Sequence, residues 1–157
     1  MSHQPAAAAA MRLQLVAVVR DGDQVLACRD HDTGVWRLPS TPWDGTVNPV
    51  QAVRGLLVDR AGVTVSPTLH APVRLSATAG LLLFTGKPLN APPADTRMCR
   101  WLSPQSVAAV LAPDDQRWVS LTSDPVHPQH GRRGPRPGWR HLTVVPASAA
   151  ATAPPAG

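Results

Sequence analysis

The chain has 157 residues, of which 43% are hydrophobic, enough for one packed core and too many for wholesale disorder. It contains no glutamate and no isoleucine, so any mechanism that needs a glutamate as base or metal ligand is excluded. The net charge is +5, yet residues 11–124 carry ten arginines and Lys87 against ten aspartates, a net of only +1. The excess positive charge lies near the end of the chain, which argues against a basic nucleic-acid-binding body.

The chain begins with a low-complexity, Ala-rich segment, and we expect residues 1–10 to form a disordered tail. A β-hairpin is predicted next, with strands over 13–20 and 24–29 and Asp21-Gly22 in the turn. A short strand follows over 35–38, and it is stopped by a proline.

Residues 40–47 are predicted to form a loop that leads into a helix. Asn48 is a favourable N-cap, and Pro49 suits the first helical position. The helix is expected to stop at Gly62, because glycine adopts the left-handed conformation that often ends a helix.

The second half of the chain is predicted to alternate short strands and helices. Strands are expected over 63–65, 69–75, 80–85 and 98–102, and helices over 105–111 and 114–121. From there the sequence becomes rich in Pro, Ala and Arg and repeats no apolar face. We therefore expect a single domain over residues 11–122 and a disordered tail over 123–157.

Cysteine content and hydropathy bear on the compartment of the protein. Cys28 and Cys99 are the only cysteines, and they lie far apart with no C-x-x-C spacing. A disulfide framework or a cysteine zinc site is therefore not expected, and a reducing cytoplasm fits. No apolar run is long enough for a membrane span, and the first residues do not resemble a signal peptide. We expect a cytoplasmic protein without a membrane partner.

Four features occur in a particular order and spacing. They are the hairpin with its Asp-Gly turn, the strand end Trp36-Arg37-Leu38-Pro39, the helix ending at Gly62-Val63, and the segment Arg100-Trp101-Leu102-Ser103 before a helix. Together they resemble the Nudix hydrolase superfamily over about residues 12–122. The resemblance implies an α/β (α+β) domain in which a mixed β-sheet is sandwiched between helices. It also implies descent from hydrolases of nucleoside diphosphates linked to another group.

The superfamily motif is a Gly, five residues, a Glu, seven residues, and then Arg-Glu-hydrophobic-x-Glu-Glu-x-Gly-hydrophobic. Anchored on Gly62, the glutamate positions of the helix fall on Leu56, Asp59 and Arg60, and the loop glutamate falls on Val47. The initial Gly falls on Thr41 and the Arg on Gly55. The active-site motif is therefore degenerate, and only Asp59 keeps a carboxylate.

The resemblance implies that helix carboxylates hold divalent metal ions against a diphosphate. Here Arg60 inverts the charge beside Asp59 and would repel a cation. We therefore expect no cofactor, or Mg or Mn bound weakly by Asp59 with help from Asp44 in the loop. Asp59 has a simpler interpretation as well, a surface carboxylate paired with a nearby arginine.

Three functions remain open. The first is a catalytically impaired Nudix-fold protein, a pseudoenzyme that binds a nucleotide, another diphosphate or a protein partner, with Trp43, Arg60 and Arg37 as ligand-binding candidates. The second is a divergent Mg- or Mn-dependent hydrolase that uses Asp59. The third is a nucleic-acid-binding module whose basic tail contains Arg132, Arg133, Arg136 and Arg140 around a tryptophan. We favour the first, because the motif glutamates are absent.

Overall fold

The computed structural model describes residues 10–90 and 96–123. Apart from residues 10 and 123, the two predicted tails lie outside the described residues, and so do the four tail arginines. The predicted domain boundaries therefore stay predictions.

The described residues form seven strands and three helices. The strands are β1 (Arg12–Asp21), β2 (Gln24–Arg29), β3 (Trp36–Arg37), β4 (Ser40–Trp43), β5 (Thr68–Arg74), β6 (Ala79–Gly86) and β7 (Cys99–Leu102). The helices are α1 (Pro49–Ala61), α2 (Pro104–Val110) and α3 (Pro113–Leu121). Within residues 10–90 and 96–123, no helix is both long and apolar enough to cross a membrane.

The strands form one mixed sheet with the order β3-β2-β1-β6-β5, to which β4 adds on β1 and β7 adds on β2. The central pair, β1 and β6, is parallel, and the other strand pairs are antiparallel. Because β1 and β6 run in the same direction, both begin at the same end of the sheet. The expected mixed sheet flanked by helices is confirmed.

Both faces of the sheet are buried, as the alternation along β1 shows. Leu15, Ala17 and Val19 join the core cluster on the α1 side, which also contains Leu57 of the helix. Val16 and Val18 point to the opposite cluster, to which α2 and α3 contribute Val107, Trp118 and Val119. One strand thus supplies two cores, and burial on both faces explains its almost continuous apolar sequence.

The bounds of α1 follow from local chemistry. The Asn48 side chain accepts a hydrogen bond from the Val50 N–H at 2.9 Å, and Pro49 occupies the first helical position. At the other end Gly62 has φ 64°, and its N–H donates to the carbonyls of Leu57 and Val58. Both helix ends lie where the sequence predicts them.

The structure corrects the prediction of a loop over residues 40–47. Residues Ser40–Trp43 form β4, which pairs antiparallel with β1 from Leu13↔Trp43 to Val16↔Ser40. Pro42 has no backbone N–H to donate, and a proline in a sequence argues against a strand. It is tolerated in a strand where the missing N–H is not needed for pairing. The strand predicted over 63–65 is reduced to an isolated bridge between Val65 and Pro88.

Candidate functional site

The helix α1 has one face that packs in the core and another face that lines a cavity. Val53, Leu57 and Ala61, at helical spacing, are buried against the sheet. The neighbouring face carries Ala52, Gly55, Leu56, Asp59 and Arg60, which line an open cavity of about 1300 Å³. The positions that the superfamily motif gives to glutamates in the helix therefore lie together on the wall of this cavity.

We call this space the α1 cavity. Its other walls come from the beginnings of β1 and β6, the end of β4 and the loop before α1; they include Met11, Arg12, Leu13, Thr41, Trp43, Asp44, Val47, Thr78 and Ala79. These segments meet because β1 is parallel to β6 and antiparallel to β4. The site is thus assembled by sheet pairing around one face of a helix.

Trp43 and Asp44 lie at the entrance to α1 and are held by hydrogen bonds within the loop. The Trp43 indole N–H donates to the Val47 carbonyl oxygen at 2.8 Å, and the half-buried ring packs against the core on the α1 side. One carboxylate oxygen of Asp44 accepts from the Thr46 backbone N–H at 2.9 Å and from the Thr46 hydroxyl at 2.6 Å. These two bonds lower the pKa of Asp44 and keep it ionised.

The charged side chains of the cavity are Arg12, Arg60, Asp59 and Asp44. Within the described part of the chain, none of these four groups forms an ion pair within 4.0 Å. Asp59 is therefore not the arginine-paired surface carboxylate that its simpler interpretation predicts, as far as residues 10–90 and 96–123 extend. Arg60 occupies the last turn of α1, where a cation is stabilised by the helix dipole.

These residues do not fit a resident divalent metal ion. Mg²⁺ and Mn²⁺ require several oxygen ligands in a near-octahedral arrangement. The cavity contains the carboxylates of Asp59 and Asp44 and the guanidinium groups of Arg12 and Arg60. One carboxylate oxygen of Asp44 is already hydrogen-bonded to Thr46. Over residues 10–90 and 96–123, no cluster of three or more potential ligands exists among His, Cys, Asp and Glu.

The structure brings four of the five candidate residues, Trp43, Asp44, Asp59 and Arg60, to one cavity. Arg37 lies elsewhere: its Nε donates to the Asp115 carboxylate at 3.3 Å, and it lines a separate cavity of about 280 Å³.

Arg12 was missed by the sequence analysis. A lone arginine at the beginning of a strand carries no motif. Only the pairing of β1 with β4 and β6 brings it to the cavity.

Comparison with protein-family models and with curated proteins finds no match for this sequence. Comparison with solved structures finds a Nudix hydrolase from Nitrosomonas europaea at 17% identity and a TM-score of 0.58, covering 70% of this chain and 68% of the other. An ADP-ribose pyrophosphatase from Streptococcus suis matches at 15% identity and 0.58, covering 74% of this chain and 94% of the other.

The Nudix domain of Shewanella oneidensis NrtR, solved in complex with ADP-ribose, matches at 20% identity and a TM-score of 0.59. The match covers 76% of this chain and 91% of that one. At these identities the likeness shows the fold alone, which is Nudix-like.

Proposed function

We propose that this protein, which has the Nudix fold, binds a small molecule containing a diphosphate in the α1 cavity without hydrolysing it efficiently. The observation that carries the proposal is the pair Asp59 and Arg60 on the cavity wall, where the superfamily motif has two glutamates. A cation in place of an anionic metal ligand favours direct contact with phosphate over contact through a metal ion.

The chemistry of the cavity suits such a ligand. The guanidinium groups of Arg12 and Arg60 can each bind phosphate oxygens in a bidentate manner, and neither forms an ion pair with a described residue. The Trp43 ring, oriented by its bond to Val47, offers an aromatic surface for a base. ADP-ribose, the ligand of the Shewanella Nudix domain, contains both a base and a diphosphate and is the first compound to test.

A second candidate is a divergent hydrolase in which Asp59 helps to hold a metal ion delivered with the substrate. It is favoured by the position of Asp59, which is exposed in the same cavity and has no ion-pair partner among residues 10–90 and 96–123. Magnesium is often held by one or two carboxylates with substrate phosphates completing its shell. This candidate requires metal-dependent turnover that Asp59→Asn abolishes.

Nucleic-acid binding by the four tail arginines lies outside the described residues and stays a prediction, as does the cytoplasmic location. A protein partner likewise stays a prediction.

Replacing Arg60 by alanine is expected to weaken ADP-ribose binding roughly tenfold, because a charge-assisted hydrogen bond to phosphate is lost. Isothermal titration calorimetry with the full chain measures the change in the dissociation constant. The matched control is Arg54→Ala, which removes an exposed arginine from the same helix at a position that does not line the cavity. Arg54→Ala should bind like the wild type, and equal losses in both variants would contradict a specific role for Arg60.

A further inference from the structure

The two cysteines, distant in sequence, face each other across neighbouring strands. Cys28 on β2 is directly opposite Cys99 on β7, and their sulfur atoms are 2.6 Å apart. The next pair in the register is hydrogen-bonded, since the Arg29 N–H donates to the Met98 carbonyl at 2.6 Å. Cys28 and Cys99 therefore form a non-hydrogen-bonded pair, in which opposite side chains approach most closely.

We propose that Cys28 and Cys99 form a reversible cross-strand disulfide, a covalent modification that links β2 to β7. In a non-hydrogen-bonded antiparallel pair the Cα atoms are about 4.5 Å apart, which lies within the range that a disulfide spans. The bond therefore requires rotation of side chains but no separation of the strands. Formation of this bond does not depend on the ligand of the α1 cavity.

A small oxidant can reach the pair through a second cavity. Both thiols are buried, with 4% and 5% of each residue exposed, but both line a cavity of about 370 Å³. Asp59 and Arg60 line the same space and so border both cavities. Because it is lined by polar and charged groups, this second cavity suits water and hydrogen peroxide.

The two thiols differ in acidity because they are hydrogen-bonded to each other. The hydrogen bond between the two sulfur atoms stabilises a thiolate at Cys99, so it lowers the pKa of Cys99 and raises that of Cys28. The Arg60 guanidinium favours the thiolate as well. Cys99 is therefore the sulfur that loses its proton first and reacts first.

With hydrogen peroxide as the oxidant, the chemistry balances in two steps. The Cys99 thiolate attacks one peroxide oxygen, the O–O bond breaks, and the products are a Cys99 sulfenic acid and hydroxide, which becomes water on taking up a proton. The Cys28 sulfur then attacks the Cys99 sulfur and gives up its proton, and the hydroxyl group leaves as water. Two thiols and one peroxide thus yield one disulfide and two waters, and a small dithiol reverses the bond.

The bond also affects the end of α1. The Cys99 sulfur lies 3.3 Å from the Arg60 carbonyl oxygen, to which the thiol donates a hydrogen bond. A disulfide has no S–H to donate, so oxidation removes this contact from the last turn of the helix. The modification therefore reaches the segment that carries Asp59 and Arg60.

The test treats the folded full chain with hydrogen peroxide and follows free thiols and tryptic peptides under non-reducing conditions. We expect both thiols to disappear and peptides 21–29 and 98–100 to be recovered as one linked species, which dithiothreitol separates. The oxidised monomer should also melt on the order of 10 °C higher than the reduced one, because the bond closes a long loop.

Two controls make the result decisive. In Cys28→Ala the linked peptide cannot form, and fragmentation of peptide 98–100 should place added oxygen on Cys99 as well as on the exposed Met98, showing that peroxide reaches the Cys99 sulfur. Denatured wild type, treated in the same way, shows that the oxidant is active. Retention of both thiols in the folded chain, oxygen added to the two cysteines without a link, or links only between chains would each overturn the proposal.

Discussion

Leu57→Ala is expected to lower the free energy of unfolding by about 2–5 kcal/mol, the largest effect among the substitutions considered. The Leu57 side chain is fully buried in the core between α1 and the sheet, in the same cluster as Leu15 and Phe84. Truncation removes apolar contacts and leaves a cavity that the surrounding strands cannot fill. Urea unfolding followed by circular dichroism measures the loss.

Val58→Ala is the matched control for this variant, because Val58 is the next residue of the helix and is 49% exposed. It is expected to change stability by less than about 0.5 kcal/mol. Similar losses in the two variants would contradict the assignment of the core face of α1, and with it the assignment of the cavity face.

Asp115→Ala is expected to cost about 2–3 kcal/mol, the second-largest effect. Asp115 is 5% exposed in the first turn of α3. Its carboxylate accepts hydrogen bonds from the buried Leu38 N–H at 3.0 Å and from Arg37 Nε at 3.3 Å. Alanine leaves that N–H without an acceptor and releases α3 from the segment between β3 and β4. The midpoint of urea unfolding reports the change.

Asp114→Ala provides the comparison, since Asp114 is exposed in the same helical turn. It removes a similar favourable interaction with the helix dipole but no buried hydrogen bond, so a loss of about 0.3–1 kcal/mol is expected. Asp115→Asn should fall between the two, because its amide oxygen can still accept from Leu38. If Asp114→Ala cost as much as Asp115→Ala, the buried bond to Leu38 would not be the source of the stability.

The elements that the sequence predicts well are those with local signals. The hairpin was predicted from Asp21-Gly22, and in the structure Gly22 lies in the turn while Asp21 ends β1 and pairs with Gln24. The helix α1 follows from Asn48 and Gly62 at its ends. These residues affect the backbone within a few positions, so their effect can be inferred from the adjacent residues of the sequence.

The features that sequence reasoning missed depend on long-range pairing. The segment of β4 carries no alternating pattern and contains Pro42, and it becomes a strand only because β1 provides a partner. The sulfur contact between Cys28 and Cys99 likewise requires the register of β2 with β7, which spacing in the sequence does not reveal.

The residues of the candidate site also fall into those that local sequence identifies and those that depend on long-range contacts. Asp59 and Arg60 were identified because the motif anchors on Gly62, and their common cavity face follows from helical spacing. Arg12 was missed because only the sheet brings it to α1. Arg37, which precedes Leu38-Pro39 at the strand end, was predicted to bind ligand. Its neighbours in the sequence do not indicate that its guanidinium donates a hydrogen bond to Asp115, far along the chain.

Binding without hydrolysis is tested most directly by phosphorus NMR of ADP-ribose incubated with the full chain and Mg²⁺, at concentrations at which calorimetry shows binding. Samples incubated with Mn²⁺, which is paramagnetic, are measured for hydrolysis products after EDTA has removed the metal. We expect the diphosphate signals to shift or broaden on binding, in a manner that depends on Arg60, and to persist without conversion to phosphomonoesters. Metal-dependent appearance of phosphomonoester signals, abolished by Asp59→Asn, would contradict this expectation and establish the α1 cavity as a working hydrolase site.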